Sequence, residues 1–392
     1  MVDWKKEIDL KSLGGLLNGR SKPRAAAPAR RAPREDVKLR EVVGLEIGDS
    51  KLAAAYVVNN GASELRRLVR EPLAPGLVAG GEVRDPAGLG AALDAFFTRH
   101  ELPRRGVRLG LGNTRMGVRV IDVPDIDDEE QLENAISFRA HEMLSVPLDD
   151  SVLDYTVIGT GADAEDQPTK RILLVVAYRD SIDRFLSATD QAGLKLAGID
   201  LEAFALLRAA TPAPAEAKDA AAVVAVCIGH ERTTLAISDG RLCEFTRVLD
   251  WGGSALTGAV AHALKVQGQE AEQVKRTLSL DSDAPGDDAL EPARRDEALE
   301  AIRHELQKLV RELLSSLRFY QSQPESLPIR EVLLAGGTAQ LPGLARELER
   351  ELGAPVRVAD PLARVVAHDE GLEQPGDAAA CAVAIGLGIE DQ

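Results

Sequence analysis

Apolar runs of strand length, broken by glycine turns, set the rhythm of this chain. The segment "REVVGLEIGDSKLAAAYVV" reads as two strands around the turn "GDSK". About half a chain later the pattern recurs. "AAVVAVC" and "TTLAIS" read as strands joined by "GHER". The two stretches match at I-G and in shape, a weak internal duplication. Between them, residues 115–178 follow an α+β pattern of their own. It comprises a strand "GVRVIDVP", a long helix "DEEQLENAISFRAHEML", and strands "LDYTVIG" and "RILLVVAY". Helical spacing puts Leu132, Ala135, Ile136, Ala140 and Met143–Leu144 on one inward face. Glu129, Glu130, Glu133, Arg139 and Glu142 point outward. Further on come the helix "EALEAIRHELQKLVRELLSSLRFYQ", a strand "EVLLAGG", a helix at "LPGLARELERELG", and a small-residue helix "DAAACAVAIGLGI" suited to close packing.

Composition narrows the classes. A chain of 392 residues has room for two or three domain-sized units. Its net charge of −16 argues against a general nucleic-acid binder, which needs clustered cations. The exception is residues 18–40, with Arg20, Lys22, Arg24, Arg30, Arg31, Arg34, Lys38 and Arg40 among Ala and Pro. This reads as a disordered basic linker. Ahead of it, Trp4, Ile8, Leu10, Leu13, Leu16 and Leu17 suit either a short amphipathic helix for a partner or a membrane surface, frayed at Gly14 and Gly15, or a disordered tail. The expectation is that residues 1–40 order only on such a surface. The Pro/Ala stretch 211–219 reads as a linker, and 280–292 as an acidic loop. Cys227, Cys243 and Cys381 lie far apart, so a disulfide or metal framework is not expected. Neither a secretory leader nor a membrane span is expected.

A glycine-centred turn carrying an Arg and two Thr can aim backbone N–H groups and hydroxyls at a phosphate. An ordinary hairpin accounts for the same stretch. Two such hairpins and a late "LLAGGTAQLPGL" fit a nucleotide cleft between related halves, where the Gly336–Gly337 turn lets backbone approach a nucleoside. At these residues the chain resembles the actin-like ATPase superfamily. Within it, the chain is most similar to the PilM family of type IV pilus assembly, relatives of the division protein FtsA. The resemblance covers about residues 41–390. It runs in order through "VVGLEIGDSKL", "VIDVPDIDDEEQLENAISFRAHEMLSVPLDDSVLDYTVIG", "AVCIGHERTTLAI", "WGGSALTGAVAHAL", "EAEQVKRTLS" and "LRFYQSQPESLPIREVLLAGGTAQLPGLARELERELGAPVRVADP".

The resemblance implies an α/β, actin-like (ribonuclease H-like) two-lobed fold with an inserted α+β subdomain. The arm would occupy 1–40, the first lobe 41–114 and 179–211, the insert 115–178, and the second lobe 212–392. It implies ATP with Mg²⁺ in the cleft. Phosphate contacts would come from Gly48, Asp49, Ser50 and Lys51, and from Gly229, His230, Glu231, Arg232 and Thr233. Gly253, in the turn before the following helix, would be a further nucleotide contact. Glu272, Lys275 and Arg276 would frame ribose and adenine, and Gly336, Gly337 and Thr338 the adenosine side. Glu46 would orient a water on Mg²⁺.

Two positions depart from the family. Cys227 stands where an Asp is usual, and a thiol is a poor Mg²⁺ ligand. Ala53 stands where a Lys is usual, with Lys51 as a substitute. Asp49 adds negative charge where phosphate would sit. Nucleotide binding with slow or absent hydrolysis is therefore expected. The implied role is a scaffold at the inner face of the cytoplasmic membrane, in a pilus or related type II secretion-like platform. It would dock the N-terminal cytoplasmic peptide of a PilN-like single-span protein, with Leu148, Val152, Leu153 and Tyr155 as contacts on an apolar groove. The alternatives are an FtsA-like division protein and a sugar kinase-like enzyme. A kinase needs a carboxylate base near the acceptor, and no such motif stands out.

Overall fold

The computed structural model describes residues 40–143, 150–163, 166–211, 221–240, 242–281, 290–323, 326–367 and 375–390. The arm up to residue 39, the Pro/Ala linker after Thr211, most of the acidic loop and Leu148 lie outside the described residues.

In chain order the first strands are β1 (Glu41–Ile47), β2 (Lys51–Asn59), β3 (Ser63–Pro72), β4 (Val78–Ala79), β5 (Glu82–Val83) and β6 (Arg105–Leu111). The insert supplies β7 (Met116–Pro124), β8 (Ser151–Ala162) and β9 (Pro168–Tyr178), and β10 (Lys195–Leu201) follows. The later strands are β11 (Ala222–Ile228), β12 (Thr233–Ser238), β13 (Cys243–Leu249), β14 (Ile329–Ala335), β15 (Val356–Val358) and β16 (Val366–Ala367).

Two sheets repeat one plan. The first has the order β10-β6-β1-β2-β3-β16 and the second β13-β12-β11-β14-β15. In each, an antiparallel three-strand meander is extended by two parallel strands beyond its first member. The strands at the centre, β1 and β11, are buried almost throughout, which accounts for their unbroken apolar runs. The weak duplication in the sequence is thus a duplication of topology.

The insert is a three-stranded antiparallel sheet, β7-β9-β8. The helix Glu129–Met143 lies on it, and Leu132, Ile136 and Ala140 pack on Ile121, Val123, Ile172, Leu174 and Val176. Asp128 starts that helix, its Oδ1 accepting from Gln131 N at 2.9 Å.

One boundary differs from expectation. Val366–Ala367 and Ala382–Gly388 do not stay with the second sheet, whereas Pro375–Ala380 between them pack on β14 and on Gly337–Gln340. β16 pairs with β3, and the helix Ala382–Gly388 packs on β1, β2 and the helix Glu202–Ala210. The cause is side-chain size. A Cβ at Gly386 would collide with Ala205 O, one at Gly44 with Ala384 O, and one at Gly388 with Val57. Small residues allow the helix to sit against backbone. Its last carbonyls are met by buried arginines: Arg208 Nε donates to Gly386 O (2.9 Å) and Arg108 Nη1 to Leu387 O (2.9 Å).

Candidate functional site

The tips of the two repeated hairpins face each other across the lobes. Gly48–Lys51 form the β1–β2 tip, closed by Gly48 N donating to Lys51 O at 2.9 Å. Gly229–Arg232 form the β11–β12 tip, closed by Gly229 N donating to Arg232 O at 2.8 Å. Arg232 reaches across, its Nε donating to Asp49 Oδ2 at 3.0 Å, and both side chains are buried. The β4–β5 turn completes the junction. Gly81 N donates to Asp49 Oδ1 (2.8 Å) and Gly80 N to Glu231 Oε2 (3.0 Å). Gly81 is required there, because a Cβ would collide with the Arg232 guanidinium.

The floor is a cluster of charge. Glu46 pairs with Ala53 across β1–β2, so Lys51, two residues before Ala53, lies on the same face. Lys51 Nζ lies 3.1 Å from Glu46 Oε1 and also donates to Ala380 O. Burial works against the Lys51 ammonium, but the Glu46 carboxylate outweighs it and raises the pKa. Glu46 Oε2 is buried without a hydrogen-bond partner. Glu202 is buried against Gly112, where a Cβ would strike its carboxylate. Burial pushes its pKa up to about 7; Glu46 and Asp49 add to this and Arg232 opposes it. Burial likewise holds the Cys227 thiol well above its ordinary range, so it stays protonated.

Among the described residues no group of three or more His, Cys, Asp or Glu is arranged to hold a metal ion. Asp49 is committed to Arg232 and Gly81, Glu46 holds Lys51 through Oε1 and leaves a single carboxylate oxygen, and Cys227 is a thiol. This donor set does not fit a directly held Mg²⁺.

The residues expected on the nucleoside side also come together. Gly253 N donates to Gly229 O at 2.9 Å, and Thr338 Oγ1 to the same oxygen at 3.4 Å. Gly336 adopts a φ of 89°, and a Cβ there would strike Ile228 O. Lys275 Nζ donates to Gly253 O (3.1 Å) and Thr257 Oγ1 (2.8 Å) and pairs with Glu272 at 2.6 Å. Burial pushes the Glu272 carboxyl up, but hydrogen bonds from Lys275 and Thr257 outweigh it and hold the pKa low. Arg276 is exposed and paired with Glu272 at 3.0 Å. Beside Gly337 the space is open.

Some expected contacts go elsewhere. Thr233 is fully buried and its hydroxyl donates to Trp251 O at 2.7 Å, away from the cleft. His230 is exposed and contributes its carbonyl, which accepts from Ser254 N at 2.8 Å. The Ser50 carbonyl accepts from Leu73 N at 2.9 Å. Sequence reasoning missed Glu202, Thr257 and the Gly80–Gly81 pair. Only the glycine doublet left a visible signal.

The three expected partner residues that are described do not share one face. Leu153 and Tyr155 are half-buried on the core under the helix Glu129–Met143. Val152, one position away, packs on the core of the first lobe instead. Alternation along a strand is the reason. A separate cleft of about 870 Å³ lies between the insert and the second lobe, lined by Val118, Val120, Ile158, Phe245, Phe319 and Tyr320. Phe319 is 58% exposed there.

Two sheets of one plan with facing hairpin tips define an actin-like protein. MreB5 of Spiroplasma citri bound to ADP shares the fold, at 13% identity and a TM-score of 0.51, over 88% of this chain and 94% of that one. The profile of the type IV pilus assembly protein PilM family matches residues 44–392, and the chain belongs to that family. A chain of the PilM–PilN type IV pilus biogenesis complex is 28% identical, with a TM-score of 0.74, over 89% of this chain and 97% of that one. The cell division protein FtsA of Bacillus subtilis (strain 168) is 23% identical over 291 residues, 66% of this chain. That of Escherichia coli (strain K12) is 26% identical over 209 residues, 49% of this chain. These matches take in 64% and 49% of the FtsA chains' own lengths.

Proposed function

We propose that this chain is a scaffold of a type IV pilus assembly platform that docks the N-terminal cytoplasmic peptide of a PilN-like single-span membrane protein. The observation that carries this reading is its likeness, across nearly the whole of that chain, to a chain of the PilM–PilN complex. It works at the inner face of the cytoplasmic membrane through that partner. Among the described residues no helix is long and apolar enough to cross a membrane. The peptide adds to the outer edge of β8, an end strand of the insert's sheet, beside Leu153 and Tyr155. The interlobe cleft holds an adenine nucleotide as a structural ligand. Hydrolysis is slow or absent, because phosphoryl transfer depends on charge neutralisation, and Lys51 and Arg232 are already paired with Glu46 and Asp49.

The test is a fluorescence titration of the full chain with the partner's N-terminal peptide. Leu153→Ala and Tyr155→Ala should weaken binding at least about tenfold, with circular dichroism confirming that both variants stay folded. Phe319→Glu, in the other cleft, should leave affinity within about twofold of wild type. Loss confined to Phe319→Glu would overturn the β8 placement, and no binding by the wild-type chain would overturn the docking function. ATP turnover at about 1 s⁻¹ or faster would contradict the nucleotide role.

A further inference from the structure

Resting on the adenine-nucleotide reading above, we infer that Asp49 and Arg232 set the ligand class of the interlobe cleft: a nucleoside or its monophosphate, in preference to a magnesium triphosphate. The chain supplies both halves of the interaction that a phosphate would otherwise make. A polyphosphate bound between two hairpin tips needs backbone N–H donors and a cation aimed at it. Here two backbone donors and both cations of the junction already hold carboxylates. Gly81 N–H is taken by Asp49 at 2.8 Å and Gly80 N–H by Glu231 at 3.0 Å. The Arg232 guanidinium is taken by Asp49, and the Lys51 ammonium by Glu46.

To seat a triphosphate, the Asp49–Arg232 pair must open. Each buried partner then loses its counter-charge unless the ligand replaces it. The phosphate replaces Arg232's partner but not that of Asp49, whose carboxylate is left beside the incoming anion. Counted by charge, the junction holds Glu46, Asp49 and Glu231, with Glu202 favoured in its protonated form, against Lys51 and Arg232, and the metal-ion donor set that would shield a triphosphate does not fit. Like charge at this range disfavours the fully ionised ligand.

The other end of the cleft has no such obstacle. The space beside Gly337 is open, and the Glu272–Lys275–Thr257 cluster is internally balanced in charge. A ribose hydroxyl can exchange hydrogen bonds with such a cluster without displacing an interlobe contact.

Isothermal titration of the full chain with adenosine, AMP and ATP, each with Mg²⁺ or with EDTA, tests this. Adenosine and AMP should bind at least roughly threefold more tightly than Mg-ATP, with no effect of EDTA on their binding. Asp49→Ser combined with Arg232→Ser should raise Mg-ATP affinity roughly tenfold or more and leave adenosine unchanged. Asp49→Asn, which keeps the size and removes one negative charge, should move in the same direction. Wild-type binding of Mg-ATP roughly tenfold tighter than adenosine, and lost in EDTA, would overturn the inference while the nucleotide reading stands. No binding of any of the three would overturn both. A folded double variant with no gain for Mg-ATP would overturn the assignment to these two residues. If the double variant does not fold, the wild-type ratio decides.

Discussion

Glu202 stands between Leu201 and Ala203 in sequence, yet it is buried within the electrostatic reach of Arg232, Glu46, Asp49 and Lys51. Its folded pKa of about 7 lies above its ordinary value of 4.5. A raised carboxyl pKa means that the protonated form is favoured by folding. The stability it contributes is therefore fully present below about pH 4.5 and is lost as pH rises through about 7. Across that span the linkage amounts to about 3 kcal/mol. Glu202→Gln keeps the shape and cannot ionise. It should raise stability at pH 8 by up to about 3 kcal/mol and change it little at pH 4.5. Urea melts of both proteins at the two pH values give the comparison. An unchanged difference between the variants across pH would rule this account out.

Among the elements, the helix Ala382–Gly388 depends most on what its residues lack. It is seven residues long, too short to be stable in isolation. Packing holds it: its residues are buried among β1, β2 and the helix Glu202–Ala210, and Arg108 and Arg208 satisfy its carbonyls. Gly386 touches the backbone of Ala205, so no rotamer of a larger residue avoids the clash. Gly386→Val should cost about 3 kcal/mol or more, measured by denaturant midpoint. Gly337→Ala, with open space around it, should cost far less. A similar loss for both would indicate that close approach is not what the glycine provides.

The whole molecule is bound together by a core that belongs to no single sheet. Leu201 and Ala203–Ala210 meet Val223, Ala225 and Leu333 of the second sheet, Val118 and Val175 of the insert, and Val383 and Leu387 of the terminal helix. A buried Asp200–Arg208 pair and the Asp49–Arg232 bridge reinforce the same seam. Two lobes joined only by a linker would unfold separately, whereas a shared core couples them. The full chain should therefore melt in one calorimetric transition, with van't Hoff and calorimetric enthalpies in agreement. Two resolved transitions would contradict the coupling.

Sequence by itself determined much of this protein. Alternation and apolar runs determined the strands of the insert and the paired hairpins, because backbone periodicity is local and burial follows it. The glycines of the two tips and of Gly336 were legible for the same reason, since each answers to a turn. Tertiary structure alone decided which charges meet. Asp49 and Arg232 are 183 residues apart, and nothing in either neighbourhood requires the other. It decided the place of Glu202, whose character comes from burial. It turned Val152 away from Leu153 and Tyr155 by one step of a strand. It also returned the last helix to the first sheet, because only there do its small residues find a backbone close enough to need them.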